Sequence, residues 1–82
     1  MIDYHGYIKK LFRKCTRYTD DFANLRDAED KCNKDINCTY ISADNLGCNG
    51  PYALCKGTKV EYERKGCIMQ KGKLYNNEKI LV

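Results

Sequence analysis

The stretch "AEDKCNKDINCTYISADNLGCNGPYALC", residues 28–55, holds four of the six cysteines of this 82-residue chain. Its beginning has the spacing of an amphipathic helix, because Leu25, Ala28 and Cys32 fall on one side at about 100° per residue. Asn24 suits the N-cap of that helix, and the lysines near its end suit the negative end of the helix dipole. The sequence therefore predicts a helix that ends close to Cys32.

After this helix the pattern changes from helical to strand-like. "CTYISA", residues 38–43, is rich in β-branched and aromatic residues and predicts a short strand. Turn signals then separate further predicted strands at 52–55, 60–64 and 67–71. We expect the last two strands to form a hairpin closed by Lys65-Gly66. The tail, residues 74–82, is expected either to add an edge strand or to fray.

The segment that precedes this region, "YIKKLFRKCTRY" at 7–18, has helical periodicity and predicts a second, N-terminal helix. Its apolar side carries Tyr7, Ile8, Leu11, Phe12, Cys15 and Tyr18. A cationic amphipathic helix either lies on an anionic membrane or covers a small core. We expect the apolar side to face the core.

Six cysteines in a chain of this length predict three disulfides in an oxidising compartment, and hence a secreted, extracellular protein. The chain has no Cys-x-x-Cys pair and a single histidine, His5, so zinc binding is not expected. No signal-peptide pattern and no run long enough to cross a membrane is evident, and an exported protein is expected to have this sequence in its mature form. "NCT" makes Asn37 a candidate glycosylation site. Six cysteines allow fifteen pairings, and their spacing selects none of them.

Residues 22–71 resemble a PAN/apple-type module of the divergent invertebrate secreted kind. The resemblance lies in a helix that ends in Cys32, a strand that Cys38 opens, and two later cysteines, Cys48 and Cys55, the second within "YALC". It implies a single domain over 1–82 with its core at about 22–71.

The fold that the residues and the resemblance together predict is a small disulfide-rich α+β domain. One main helix, with the second N-terminal helix beside it, would pack on a short antiparallel β-sheet. The resemblance implies nested disulfides, which pair Cys15–Cys67, Cys32–Cys55 and Cys38–Cys48. The predicted N-terminal helix departs from the family pattern, since family members usually begin with a strand.

The chain carries no motif for catalysis, a cofactor or a metal, so we expect a protein that is not an enzyme. Its net charge is +4, with basic residues concentrated in 1–18 and 56–82 and acidic residues between them. These blocks either neutralise one another across the folded surface or form a basic patch. The candidate ligand-binding residues are Lys9, Lys10, Arg13, Lys14, Arg17, Lys56, Lys59, Arg64 and Lys65.

The predicted function is that of a secreted recognition module. It would bind an extracellular protein or carbohydrate, such as a sulfated glycan, through this basic surface, with Tyr4, Tyr7 and Tyr18 as candidates for stacking on sugars. The alternative is a cationic toxin or antimicrobial protein that acts on an anionic membrane surface or on ion channels through residues 7–18. A structural matrix protein is a third class, suggested by the tyrosine and lysine content. Nucleic acid is not an expected partner.

Overall fold

The computed structural model describes residues 7–72, and within them the chain folds into one helix and three strands. The elements are β1 (Tyr7–Arg17), α1 (Leu25–Lys34), β2 (Cys38–Ala43) and β3 (Tyr52–Lys71). The helix packs on the sheet, and three disulfides join the elements. The predicted small disulfide-rich α+β fold is therefore confirmed.

The sheet has the order β1-β3-β2, and β1 runs antiparallel to β3. The short strand β2 pairs with both ends of β3. At one end Cys38 faces Lys56 while Ala43 faces Tyr52, and at the other end Ala43 also faces Cys67. In each stretch the partner number falls as the β2 number rises, so β2 is antiparallel to both.

Strand β3 must be strongly bent to make these pairings. A straight strand of its 20 residues would extend about 66 Å at the usual rise per residue. The longest dimension of the molecule is 39 Å. Bending thus brings both ends of β3 alongside the six residues of β2.

The prediction of three short strands and a hairpin in this region is wrong, because β3 is continuous from Tyr52 to Lys71. The residues of the predicted hairpin pair instead with β1. Val60–Tyr62 face Arg13–Cys15, and Cys67–Lys71 face Tyr7–Leu11. The long partner strand β1 satisfies the backbone groups that a hairpin would have joined.

The predicted helix α1 is confirmed at Leu25–Lys34, and β2 is confirmed at 38–43. The side chain of Asn24 accepts a hydrogen bond of 2.9 Å from the Asp27 N–H, which satisfies a backbone donor that the first helical turn leaves free. Ala28 and Cys32 are fully buried against the sheet. Leu25 packs at the edge of the same cluster.

The predicted N-terminal helix is wrong, since its residues form the 11-residue strand β1. Backbone pairing with β3 along most of this segment outweighs the helical periodicity, and an isolated helix of this length is marginal in water. The apolar side expected to face the core is split. Tyr7 is buried, whereas Leu11 and Phe12 are 39% and 43% exposed.

The core consists of two clusters. The larger one lies under α1 and joins the helix to all three strands. Its buried members are Tyr7, Ala28, Cys32, Cys38, Ile41, Ala43, Cys48, Tyr52, Leu54, Cys67 and Met69. The smaller cluster contains Tyr40, Cys55 and Ile68, with Cys15 and Val60 packed against it.

All three disulfide pairings that the resemblance implied are wrong. The structure pairs Cys15–Cys55, Cys32–Cys38 and Cys48–Cys67, with Cα–Cα distances of 5.8, 5.2 and 5.4 Å. The implied pairs were Cys15–Cys67, Cys32–Cys55 and Cys38–Cys48. The three observed distances are those at which a disulfide can close.

The positions of the strands account for this difference. Because β1 pairs antiparallel with β3, Cys55 faces Arg17, which is two residues from Cys15. This pairing brings Cys15 and Cys55 close enough to bond. Cys32 lies in the last turn of α1 and Cys38 opens β2, so a short turn brings them together. Cys48 follows β2 closely, and the register places Cys67 opposite the end of that strand.

Candidate functional site

The nine predicted ligand-binding residues are all exposed, and all belong to β1 or β3. They are Lys9, Lys10, Arg13, Lys14, Arg17, Lys56, Lys59, Arg64 and Lys65. The register of β1 against β3 decides which of them come together. Arg13–Arg17 pair with the middle and beginning of β3, whereas Lys9 and Lys10 face Met69 and Ile68 nearer its end.

Four of the nine line one surface hollow of about 280 Å³, which we call the basic hollow. Its basic residues are Arg13, Lys14, Arg17 and Lys65. Two acidic residues, Asp44 and Glu63, also line it, together with Ser42, Ala43 and Gly66. The four cations outnumber the two carboxylates, so the hollow has an excess of positive charge.

A second hollow of about 260 Å³ shares Lys14 with the first and adds Lys59. The Nζ atoms of these two lysines lie 3.7 and 3.6 Å from the carboxylate oxygens of Glu61. The Glu61 carboxylate is therefore close to both lysines. The two hollows adjoin at Lys14, which lines both.

The predicted neutralisation between a basic end of the chain and its acidic middle is seen where Arg17 lies 3.9 Å from Asp21. The two pairs at Glu61 involve an acid of the basic end 56–82 and do not reach the acidic middle. All of these side chains are at least half exposed, and exposed ion pairs contribute little to stability. Solvated pairs of this kind open easily, so these cations stay accessible to an anionic ligand.

The remaining predicted residues lie outside the two hollows. Lys56 is placed over the ring of Tyr18, with 5.8 Å between Nζ and the ring centroid. Such a contact contributes about 0.5–1 kcal/mol at an exposed site. Lys9, Lys10 and Arg64 do not line either hollow.

Two of the tyrosines suggested for sugar stacking are engaged inside the fold. Tyr7 is buried and donates its hydroxyl hydrogen to Asn33 Oδ1 at 2.7 Å. Tyr18 donates to Asp35 Oδ2 at 2.6 Å. Burial first, and then the hydrogen bond to Asp35 and its charge, raise the pKa of Tyr18 to about 12. Tyr4 and His5 lie outside the described residues, as does the tail at 74–82.

Tyr62 is an exposed aromatic residue of β3 that the sequence analysis did not select as a candidate. It is 69% exposed and faces Arg13 across the two strands. Val60 packs against the smaller cluster, whereas Tyr62 lies beyond it.

Asn37, the candidate glycosylation residue, is exposed in the turn between α1 and β2. Its N–H donates to Asp35 Oδ1 at 2.9 Å. The middle residue of the sequon, Cys38, is buried and bonded to Cys32. An exposed turn leaves the Asn37 side chain accessible, and glycosylation stays a prediction.

Over residues 7–72, no group of three or more potential metal-ligating side chains was found. In the same part of the chain, no helix has the length and apolar character needed to span a bilayer. Comparisons with protein-family models, curated proteins and solved structures give no match. The resemblance to PAN/apple modules therefore stays a prediction.

Proposed function

We propose that this protein is a secreted, non-enzymatic recognition module that binds an acidic partner, an extracellular protein or a sulfated glycan, through the basic hollow. The observation that carries the proposal is the convergence of Arg13, Lys14 and Arg17 from β1 with Lys65 from β3 around one hollow. Strand pairing fixes the backbones of Arg13, Lys14 and Arg17 relative to β3, so part of the entropy of arranging these cations is already lost before binding.

The mixture of side chains favours a specific partner over simple attraction of counterions. Arginine presents a planar fork of donors that matches sulfate or carboxylate, while lysine acts as a point charge. The carboxylates of Asp44 and Glu63 in the same hollow can accept hydrogen bonds from hydroxyl groups. Sugars bearing both hydroxyl and sulfate groups fit this combination, as does an acidic peptide with serine or threonine residues.

Three disulfides support export, because such bonds persist in oxidising compartments and are rare in the cytosol. The toxin alternative relied on a cationic amphipathic helix at 7–18. Those residues form β1, a strand that Cys15–Cys55 fastens to β3. Recognition by a folded surface is therefore the better-supported function.

Retention on immobilised heparin, measured as the salt concentration needed for elution, tests the proposal. The variant Arg13→Ser/Lys14→Ser/Lys65→Ser should elute at markedly lower salt than the unmodified protein. The matched control Arg26→Ser/Lys31→Ser/Lys34→Ser removes three exposed cations from α1 and should change elution much less. Equal losses in the two variants would mean that only net charge matters, and the basic hollow would not be a binding site.

A further inference from the structure

The pairing of β1 with β3 is interrupted by a bulge. Leu11 faces Cys67 and Arg13 faces Tyr62, so the single residue Phe12 lies opposite the four residues 63–66. A bulge of this kind bends the strands and turns side chains out of their regular alternation. We call the segment Leu11–Arg13 together with Tyr62–Gly66 the bulge.

Exposed apolar side chains are concentrated at the bulge. Of the five large hydrophobic residues exposed in the described part of the chain, three belong to it: Leu11, Phe12 and Tyr62, at 39%, 43% and 69% exposure. Single exposed apolar residues are common on any protein, but a cluster points to an interaction site. The other two, Ile36 and Leu46, lie in loops outside the three strands.

Phe12 has a backbone conformation that phenylalanine rarely adopts. Its φ is 63°, in the left-handed region that glycine and asparagine tolerate better. Side chains other than these are strained there, and such strain clusters at functional positions. Phe12 is not used to fill the core, since the residue is 43% exposed.

Basic residues lie next to these apolar residues in the sequence of both strands. Lys10 and Arg13 flank Leu11 and Phe12, and Arg64 and Lys65 follow Tyr62, all of them exposed. The acidic residue between them, Glu63, accepts a hydrogen bond of 3.4 Å from the Lys65 N–H. The bulge thus combines three apolar groups with an excess of positive charge.

We propose that the bulge docks on an anionic phospholipid bilayer. Leu11, Phe12 and Tyr62 enter the interface between headgroups and acyl chains, while Lys10, Arg13, Arg64 and Lys65 contact the acidic headgroups. Aromatic side chains with adjacent lysine and arginine residues are the combination that this interface favours. Charge selects this occupant over a second copy of the chain, since two copies meeting at the bulge would bring like charges together.

This docking is peripheral, and its apolar side chains, Leu11, Phe12 and Tyr62, do not line the basic hollow, although Arg13 and Lys65 belong to both surfaces. Only a bulge held by strand pairing enters the interface, and the folded domain stays outside it. We therefore expect binding without leakage of vesicle contents. A leaking vesicle would indicate a membrane-disrupting protein and would overturn the proposal.

Cosedimentation with vesicles of phosphatidylcholine that contain about one third phosphatidylserine tests the docking directly. The unmodified protein should bind these vesicles and should not bind pure phosphatidylcholine. Phe12→Asn should bind about tenfold more weakly, because it removes the apolar ring. Its thermal midpoint should be unchanged or higher, since asparagine tolerates the positive φ.

Ile36→Asn is the matched control, because Ile36 is 92% exposed and lies outside the bulge. It makes the same chemical change and should leave vesicle binding as it is. Equal binding by the unmodified protein and Phe12→Asn would overturn the proposal, as would equal loss in both variants. A dimer that sedimentation detects and Phe12→Asn abolishes would assign the bulge to self-association instead.

If Phe12→Asn does not weaken vesicle binding, the proposed function is unaffected. If the heparin test fails, the proposed docking at Phe12 is likewise unaffected. Heparin elution depends on the cations of the basic hollow and should be unchanged in Phe12→Asn. A variant that loses vesicle binding while it keeps heparin retention separates the two surfaces. A variant that loses both would mean that Phe12 only maintains the fold, which contradicts the docking.

Discussion

Tyr18 donates a 2.6 Å hydrogen bond to Asp35 Oδ2, which joins the residue that follows β1 to the residue that caps the C-terminus of α1. Lys71, in β3, reaches the same helix end, where its Nζ lies 2.8 Å from the Cys32 carbonyl oxygen and 3.3 Å from that of Asp35. A cation at a helix C-terminus is stabilising, because it complements the helix dipole and binds free carbonyl groups. The end of α1 is thus held by side chains from both sides.

The Tyr18–Asp35 bond predicts how stability depends on alkaline pH. The pKa of Tyr18 rises from 10.0 to about 12 in the folded state, so this contribution is complete below pH 10.0 and is lost as pH rises through about 12. Tyr18→Phe should lower the thermal midpoint by a few degrees at neutral pH. Its stability should also fall less steeply than that of the unmodified protein above pH 10.0.

The Tyr18–Asp35 bond also predicts how stability depends on acidic pH, through the carboxyl group of Asp35. The hydrogen bond from Tyr18, followed by that from the Asn37 N–H, holds the pKa of Asp35 below its ordinary value. A lowered carboxyl pKa contributes stability above the unfolded value, and the contribution is lost as pH falls through the folded value. Urea unfolding from neutral to acidic pH should show a shallower loss in Tyr18→Phe. Parallel profiles for the two proteins would contradict the bond.

The N-cap residue of α1, Asn24, is expected to contribute to the free energy of unfolding. Asn24→Ala removes the acceptor of the Asp27 N–H and should lower the free energy of unfolding by about 1 kcal/mol. Asn24→Ser keeps a capping oxygen and should be close to the unmodified protein. Urea unfolding monitored by circular dichroism measures both. A loss in the serine variant equal to that in the alanine variant would show that the cap is not the cause.

The helix and β2 could be predicted because their signals are local. Asn24 at the cap, the spacing of Ala28 and Cys32, and the β-branched run at 38–43 each lie within the element that they specify. The same local reasoning failed at 7–17. There the sequence fits one side of a helix equally well, and pairing with β3, some fifty residues away along the chain, selects the strand.

The candidate site was predictable as a set of residues but not as an arrangement. Charge alone identified the nine basic residues, and all are exposed. Which four share the basic hollow depends on the register of β1 against β3, which no local pattern encodes. Tyr62 was not selected, and Phe12 was expected to face the core, because the bulge that contains them forms between strands distant in sequence.

Mapping the disulfides tests the register of the strands, because the register determines which cysteines lie close together. Trypsin alone cannot separate them, because Cys38, Cys48 and Cys55 all lie in the lysine- and arginine-free stretch 35–55. Additional cleavage before Asp44 and after Tyr52 places each of these three cysteines in its own peptide. Mass spectrometry of the unreduced digest should then find Cys15–Cys55, Cys32–Cys38 and Cys48–Cys67. The nested pairs would give different masses and would contradict the register of β1.

Gly66 tests the close approach of β3 to β1 at the bulge. A Cβ at Gly66 would collide with the backbone carbonyl oxygen of Arg13, so Gly66→Ala should lower the free energy of unfolding by about 2–3 kcal/mol. Gly57→Ala is the comparison, because it meets no atom but has φ 79°, and it should cost about 1 kcal/mol through backbone strain alone. Urea unfolding measures both variants. If Gly66→Ala is as stable as the unmodified protein, residues 63–66 do not lie against Arg13, because only that contact gives the larger loss.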